Sequence, residues 1–151
     1  MPHIERTAHV GWDGNVARGA GTLDSQSGAF ARLPFSLPSR IGAPGGKTSP
    51  EELLAAAHGG CITMSLAGEL TAAGTPPGRL DTAVTIVMDE VEGQGHQIVG
   101  SRVEFVVRVD GLDEAALRVA VEKADAGCPF SQLLKRAGAD VDVAARLADQ
   151  G

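Results

Sequence analysis

Tyrosine is absent from this chain, and the other aromatics are scarce: four phenylalanines and one tryptophan. Single-stranded nucleic acid is bound on successive aromatic faces, so that mode of binding is excluded. Concentrated positive charge is missing too. The 13 lysines and arginines are scattered, and 19 acidic residues outnumber them, for a net charge of −6. A face that binds phosphates needs clustered Lys and Arg, so neither nucleic acid nor an anionic membrane is an expected partner.

Cysteine is nearly absent. Cys61 and Cys128 are the only two, which is too few for a disulfide framework. There is no CxxC, and His3, His9, His58 and His96 stand apart from one another, so the sequence makes no case for zinc. His58 lies near Cys61, but a lone histidine in an apolar run is more often hydrogen-bonded packing than a ligand. Long hydrophobic runs are also lacking. Met1 to Val10 has no apolar segment of the kind a secretory signal carries, so the chain is expected to begin near Met1 and to stay in the cytoplasm. The uncharged stretch from Leu53 to Gly68 is short for a bilayer and contains His58 and three glycines, which reads as a buried core helix.

What remains is an ordinary soluble composition, 43% hydrophobic and 21% charged over 151 residues. It predicts a single domain, 1–151, with one sizeable core. The first 35 residues read as β structure: a weakly alternating strand from Ile4 to Val10, a turn at Trp12-Asp13-Gly14-Asn15, a strand from Val16 to Leu23, a turn over Asp24–Gly28, and a third strand from Phe30 to Leu37. Pro34 marks that last strand as an edge. The Gly-rich segment from Ile41 to Lys47 is a loop. A helix follows it, with Ser49 as N-cap, Pro50 at the first position and Glu51 and Glu52 at the positive end of the dipole. From Leu53 this helix is apolar on nearly every face, which predicts cover on both sides. Gly59-Gly60 in its middle predicts the close approach of another backbone, since each glycine costs roughly 1 kcal/mol relative to alanine. Strands from Thr82 to Val91 and Gln97 to Val109, helices opening at Asp113-Glu114 and at Pro129, and a short strand from Val141 to Val143 complete the chain. The class is α+β, without alternating βαβ units.

The two thiols occupy different settings. Cys61 lies in the apolar helix, where burial raises a thiol pKa, so a reactive Cys61 needs a cation beside it. Cys128 sits between Gly127 and Pro129 at a helix start, where unpaired N–H groups favour a thiolate. Both are equally readable as packing residues. Glu51 and Cys61 are separated by roughly 15 Å of helix. Glu51 of one chain therefore cannot touch its own Cys61, and any joint role implies a second copy crossing near Gly59-Gly60. Arg40, ahead of the Gly-rich loop, and Arg18, in the first hairpin, are the candidate cations.

Three segments carry a family resemblance: Thr48-Ser49-Pro50-Glu51-Glu52-Leu53-Leu54-Ala55-Ala56-Ala57-His58-Gly59-Gly60-Cys61, Ala126-Gly127-Cys128-Pro129-Phe130-Ser131, and Trp12-Asp13-Gly14 through Arg18-Gly19. Together they resemble the OsmC/Ohr family of thiol peroxidases, and Ala-Ala-His before the thiol favours the OsmC branch. The resemblance implies an intertwined α+β homodimer with antiparallel sheets around a buried central helix. It implies that Cys61 is the peroxidatic thiol, Cys128 the resolving thiol, Arg40 the arginine that stabilises the thiolate, and Glu51 the carboxylate that orients that arginine. The reaction it implies is reduction of organic hydroperoxides, and more weakly of hydrogen peroxide, through a sulfenic acid and a Cys61–Cys128 disulfide. A dithiol, such as a lipoyl-bearing protein, would reduce that disulfide, and no metal, haem or flavin is required. The alternative is a non-catalytic redox-sensing or small-ligand-binding protein that uses the same cleft.

Overall fold

The computed structural model describes residues 3–149. The chain divides into two compact units, Met1–Pro50 and Glu51–Gly151.

In the first unit, strands β1 (Ala8–Asp13), β2 (Ala20–Ser25) and β3 (Leu33–Phe35) form an antiparallel sheet in that order. The boundaries differ from those read in the sequence. Trp12 and Asp13 belong to β1, where they pair with Gly21 and Ala20, and the turn begins only at Gly14. Trp12 is held in the sheet at both ends of its ring system: its indole N–H donates to the Gly14 carbonyl at 2.9 Å, and its ring meets Phe35 at 5.5 Å between centroids. All six residues of β1 are exposed, so its sequence has little reason to alternate. The third strand shrinks to three residues at the sheet edge, with Pro34 in its middle. Leu37 instead opens a short helix, α1 (Leu37–Ile41), because the Ser36 hydroxyl accepts from the Ser39 N–H at 3.3 Å and Pro38 suits the first turn. Arg40 lies in the last turn of α1.

Helix α2 (Pro50–Ala72) opens with Pro50, Glu51 and Glu52 and gives way to Gly74 at φ +81°, a left-handed conformation suited to glycine. Strands β4 (Arg79–Val91) and β5 (Gly95–Arg108) pair antiparallel through a turn containing Gly93 and Gly95, with one register shift between Val87 and Met88. Helices α3 (Glu114–Gly127) and α4 (Pro129–Arg136) then lead to β6 (Asp140–Leu147), which pairs parallel to β5. The class is α+β, as expected, but the β5–α3–α4–β6 connection is a parallel crossover that the sequence reading did not include. The final strand is longer than expected because pairing with β5 continues as far as Leu147.

The core lies in this second unit. β5 alternates sharply, and its inward row is Ser101, Val103, Phe105 and Val107, each at most 1% exposed. Against it stand Ile62, Leu66 and Leu70 of α2, Leu117, Ala120, Val121 and Ala124 of α3, and Cys128. A buried Leu or Phe contributes about 1.5–3 kcal/mol here.

The apolar helix departs from expectation. By length and composition α2 is able to cross a membrane, yet one stripe of it, His58, Ile62, Leu66 and Leu70, joins the core. The opposite side is not covered: Met64 is 72% exposed. Within this chain no other backbone approaches Gly59-Gly60. A Cβ on Gly59 would meet the Val84 side chain at 3.1 Å, and one on Gly60 would meet nothing within 4 Å. The first glycine makes room for a β4 side chain, and the second faces open space.

Candidate active site

Three elements of the second unit supply one cluster. The first is α2. Its inward stripe recurs every four residues from His58, and Cys61, one turn after His58, packs at the edge of the core and is partly buried. The second is the junction of α3 and α4. Cys128 is at once the last cap of α3 and the first cap of α4, in an extended conformation (φ −80°, ψ 115°). That single-residue break is stable because the Cys128 N–H reaches the Asp125 carbonyl at 3.3 Å, the Ser131 N–H donates to Cys128 Sγ at 3.5 Å, and Pro129 begins the next helix without an N–H to lose. Cys128 is completely buried. The third element is β5, whose inward row begins with Ser101, fully buried among valines and a phenylalanine.

Packing makes the two thiols neighbours, Cys61 against the core cluster that contains Cys128, and both are free. The Cys61 thiol is pushed above its ordinary pKa, first by burial and then by its contact with Cys128, while the Phe130 N–H pulls it down. These neighbours alone therefore favour the neutral thiol.

His58 is completely buried and saturated. Its Nδ1 bonds the Ser101 hydroxyl and its Nε2 the Ser131 hydroxyl, both at 2.8 Å. Burial lowers its pKa, Asp125 opposes that, and Lys135 adds to it. With both nitrogens taken by hydroxyls, the ring is hydrogen-bonded packing, as the sequence suggested. Lys135 and Asp125 form an ion pair beside it, and the other carboxylate oxygen of Asp125 is buried without a partner. Among the described residues no group of three or more His, Cys, Asp or Glu could hold a metal.

The remaining candidates lie elsewhere in the chain. α2 is continuous from Pro50 to Ala72, so Glu51 is separated from Cys61 of the same chain by roughly 15 Å of helix rise. Arg40 belongs to α1 and Arg18 to the turn after β1, both in the first unit. The sequence reading missed Ser101, Ser131 and the Phe130 N–H. The one signal for Ser101 is a hydroxyl in an otherwise apolar alternating row. Ser131 follows Cys128 by three residues, the spacing at which a cap meets the N–H of the first turn.

Comparison with known proteins gives these features a context. The family described as OsmC-like protein matches residues 43–144, which include both cysteines. Peroxiredoxin OsmC of Escherichia coli (strain K12) is 36% identical over 132 residues, covering 87% of this chain and 91% of that protein. An organic hydroperoxide resistance protein of Xanthomonas axonopodis pv. citri is 30% identical over 146 residues, 94% of this chain and 91% of its own length. In fold, the chain resembles an organic hydroperoxide resistance protein OsmC from Legionella pneumophila, at TM-score 0.72 and 21% identity, over 92% of this chain and 96% of that one. With the family match spanning both thiols and a relative 36% identical over 87% of its length, this chain belongs to the OsmC-like family.

Proposed function

We propose that the chain is a thiol-dependent peroxidase that reduces organic hydroperoxides, and hydrogen peroxide more weakly, to alcohol or water. Membership of the family, with curated relatives named peroxiredoxin OsmC and organic hydroperoxide resistance protein, supports the activity class. The observation that carries the chemistry is the Cys61–Cys128 contact.

Cys61 is the nucleophile. Its thiolate attacks the distal oxygen of R–O–O–H, the O–O bond breaks, Cys61 becomes a sulfenic acid, and the alkoxide leaves as R–OH after taking a proton. Cys128 resolves it. Its sulfur bonds the sulfenic sulfur, the S–O bond breaks, and the departing hydroxide takes the Cys128 proton to form water. A dithiol, such as that of a lipoyl-bearing protein, then reduces the disulfide by two exchange steps and is itself oxidised. The Phe130 N–H already opposes the rise in the Cys61 pKa. Arg40 supplies the positive charge that outweighs burial, and Glu51 orients it. The helix distance between Glu51 and Cys61 supports a homodimer in which one copy's helix start reaches the other's thiol, and the exposed face around Met64 gives that second copy an apolar surface. We place the protein in the cytoplasm, where such dithiols are kept reduced.

Stopped-flow oxidation of the reduced protein by cumene hydroperoxide and by hydrogen peroxide, side by side, tests this. Faster reaction with the organic peroxide, lost in Cys61→Ser, is the expected result. Unchanged turnover by Cys61→Ser ends the reading. One observation favours a second reading, a packed structural thiol: the groups around Cys61 in this unit raise its pKa on balance. That reading predicts resistance to iodoacetamide until the pH exceeds the ordinary thiol value of about 8.5. The peroxidase reading predicts alkylation well below it.

A further inference from the structure

Among the described residues His58 is the fully buried titratable side chain for which the chemistry above has no use. Its surroundings relate it to that chemistry. His58 lies one turn before Cys61 on α2, and Ser131 one turn after Cys128 on α4, so the His58–Ser131 bond joins the same two helices as the thiol contact. Ser131 holds both ends of the arrangement. Its hydroxyl bonds His58 Nε2, and its N–H donates to Cys128 Sγ.

We infer that His58 is a positioning residue for disulfide formation: through Ser131 it holds the first turn of α4 against α2 and so keeps Cys128 Sγ within reach of Cys61. The inference rests on the peroxidase reading above. Two further observations support it. The Ser101 bond to Nδ1 fixes the ring plane, so the imidazole cannot turn away from Ser131. And α4 is only eight residues long, and the caps and the Lys135–Asp125 pair that hold its start tie it to α3, whereas the His58–Ser131 bond ties it to α2. Buried polar groups are costly unless satisfied, and an apolar residue at position 58 would fill the core at least as cheaply. What the polar trio adds is direction. A disulfide demands a narrow Cα separation, about 4.4–6.8 Å, and a narrow dihedral. A sulfenic acid that is not captured in time is oxidised by a second peroxide to sulfinic acid. The partition between disulfide and sulfinate therefore reports how well Cys128 is placed.

The two ring nitrogens can be separated by isosteres. In His58→Asn the amide replaces Nδ1, keeping Ser101 and losing Ser131. In His58→Gln the amide replaces Nε2 and keeps Ser131. Reduced protein is mixed with cumene hydroperoxide, quenched over time and analysed by intact mass for sulfenate, disulfide and sulfinate. His58→Asn is expected to form sulfenate at the wild-type rate, to close the disulfide about tenfold to a hundredfold more slowly, and to accumulate sulfinate. His58→Gln is expected to restore closure. Ser131→Ala should behave as His58→Asn does, and it provides the same test if His58→Asn does not fold. Wild-type disulfide closure in both His58→Asn and Ser131→Ala overturns the inference, as does equal slowing of sulfenate formation and closure in Asn and Gln variants alike. If wild type itself forms sulfenate but never a disulfide, the resolving role of Cys128 fails, and the positioning role fails with it.

Discussion

Two contacts cross between α2 and α4 one helical turn apart, and they could hardly differ more in chemistry. Cys61 meets Cys128, while His58 meets Ser131 and, on its other side, Ser101. The first contact involves a partly buried sulfur whose pKa burial and Cys128 raise and the Phe130 N–H lowers. The second is sealed, with both nitrogens occupied. A group that must meet a peroxide needs access and spare valence. A group that must hold a helix needs neither, and gains from having every hydrogen bond made. On the proposed chemistry, the more polar of the two contacts is therefore the one that does not react.

The largest effect that would break this comparison is loss of the nucleophile. Cys61→Ser should abolish multiple turnover in a coupled peroxide-consumption assay, whereas His58→Gln should leave it nearly intact. Next comes the partner sulfur. Cys128→Ser should consume about one equivalent of peroxide per chain and then stall as sulfenate or sulfinate, seen by mass spectrometry as an absence of disulfide.

A smaller effect sharpens the other contact. Burial depresses the His58 pKa in the folded protein below its unfolded value of about 6.5. The unfolded chain then binds the proton more readily. The contribution of neutral His58 to stability is complete above about pH 6.5 and is lost as the pH falls through the folded value. Urea midpoints measured from pH 7.5 downward should therefore fall more steeply for wild type than for His58→Gln. Equal slopes would mean that the ring charges without cost.

The smallest effect concerns the face of α2 turned away from both contacts. Within one chain Gly60 has open space where a Cβ would sit, so Gly60→Ala should stabilise a lone chain by about 1 kcal/mol, read as a rise in thermal midpoint, and the crossing of a second copy proposed above should take that gain away. Gly59→Ala should gain less, because Val84 must shift from 3.1 Å. A loss at Gly60 would instead mark it as the point where a second copy crosses.

Local chemistry made much of the fold legible. Pro50 with two glutamates, Asp113 ahead of its helix, and Gly127-Cys128-Pro129 each announced a helix boundary, and the structure has helices starting at Pro50, Glu114 and Pro129. The first sheet was less legible, because a fully exposed strand such as β1 is not required to alternate. The sequence reading has no counterpart of α1, because it takes Ser36, the cap, and Leu37, the first residue, as the end of a strand. The parallel seat of β6 was hidden because three residues of alternation do not say which strand they join.

By itself, then, the sequence determined the kinds of residue available for chemistry, two cysteines among them, and where most helices begin, since a cap or a proline acts within one turn. Only the tertiary structure decided which of them meet. His58 lies 43 positions from Ser101 and 73 from Ser131, and no local pattern encodes such distances. They are set by the packing of β5 and α4 on one stripe of α2, where burial of apolar surface brings the stripe's single histidine up to two hydroxyls and Cys61 up to Cys128.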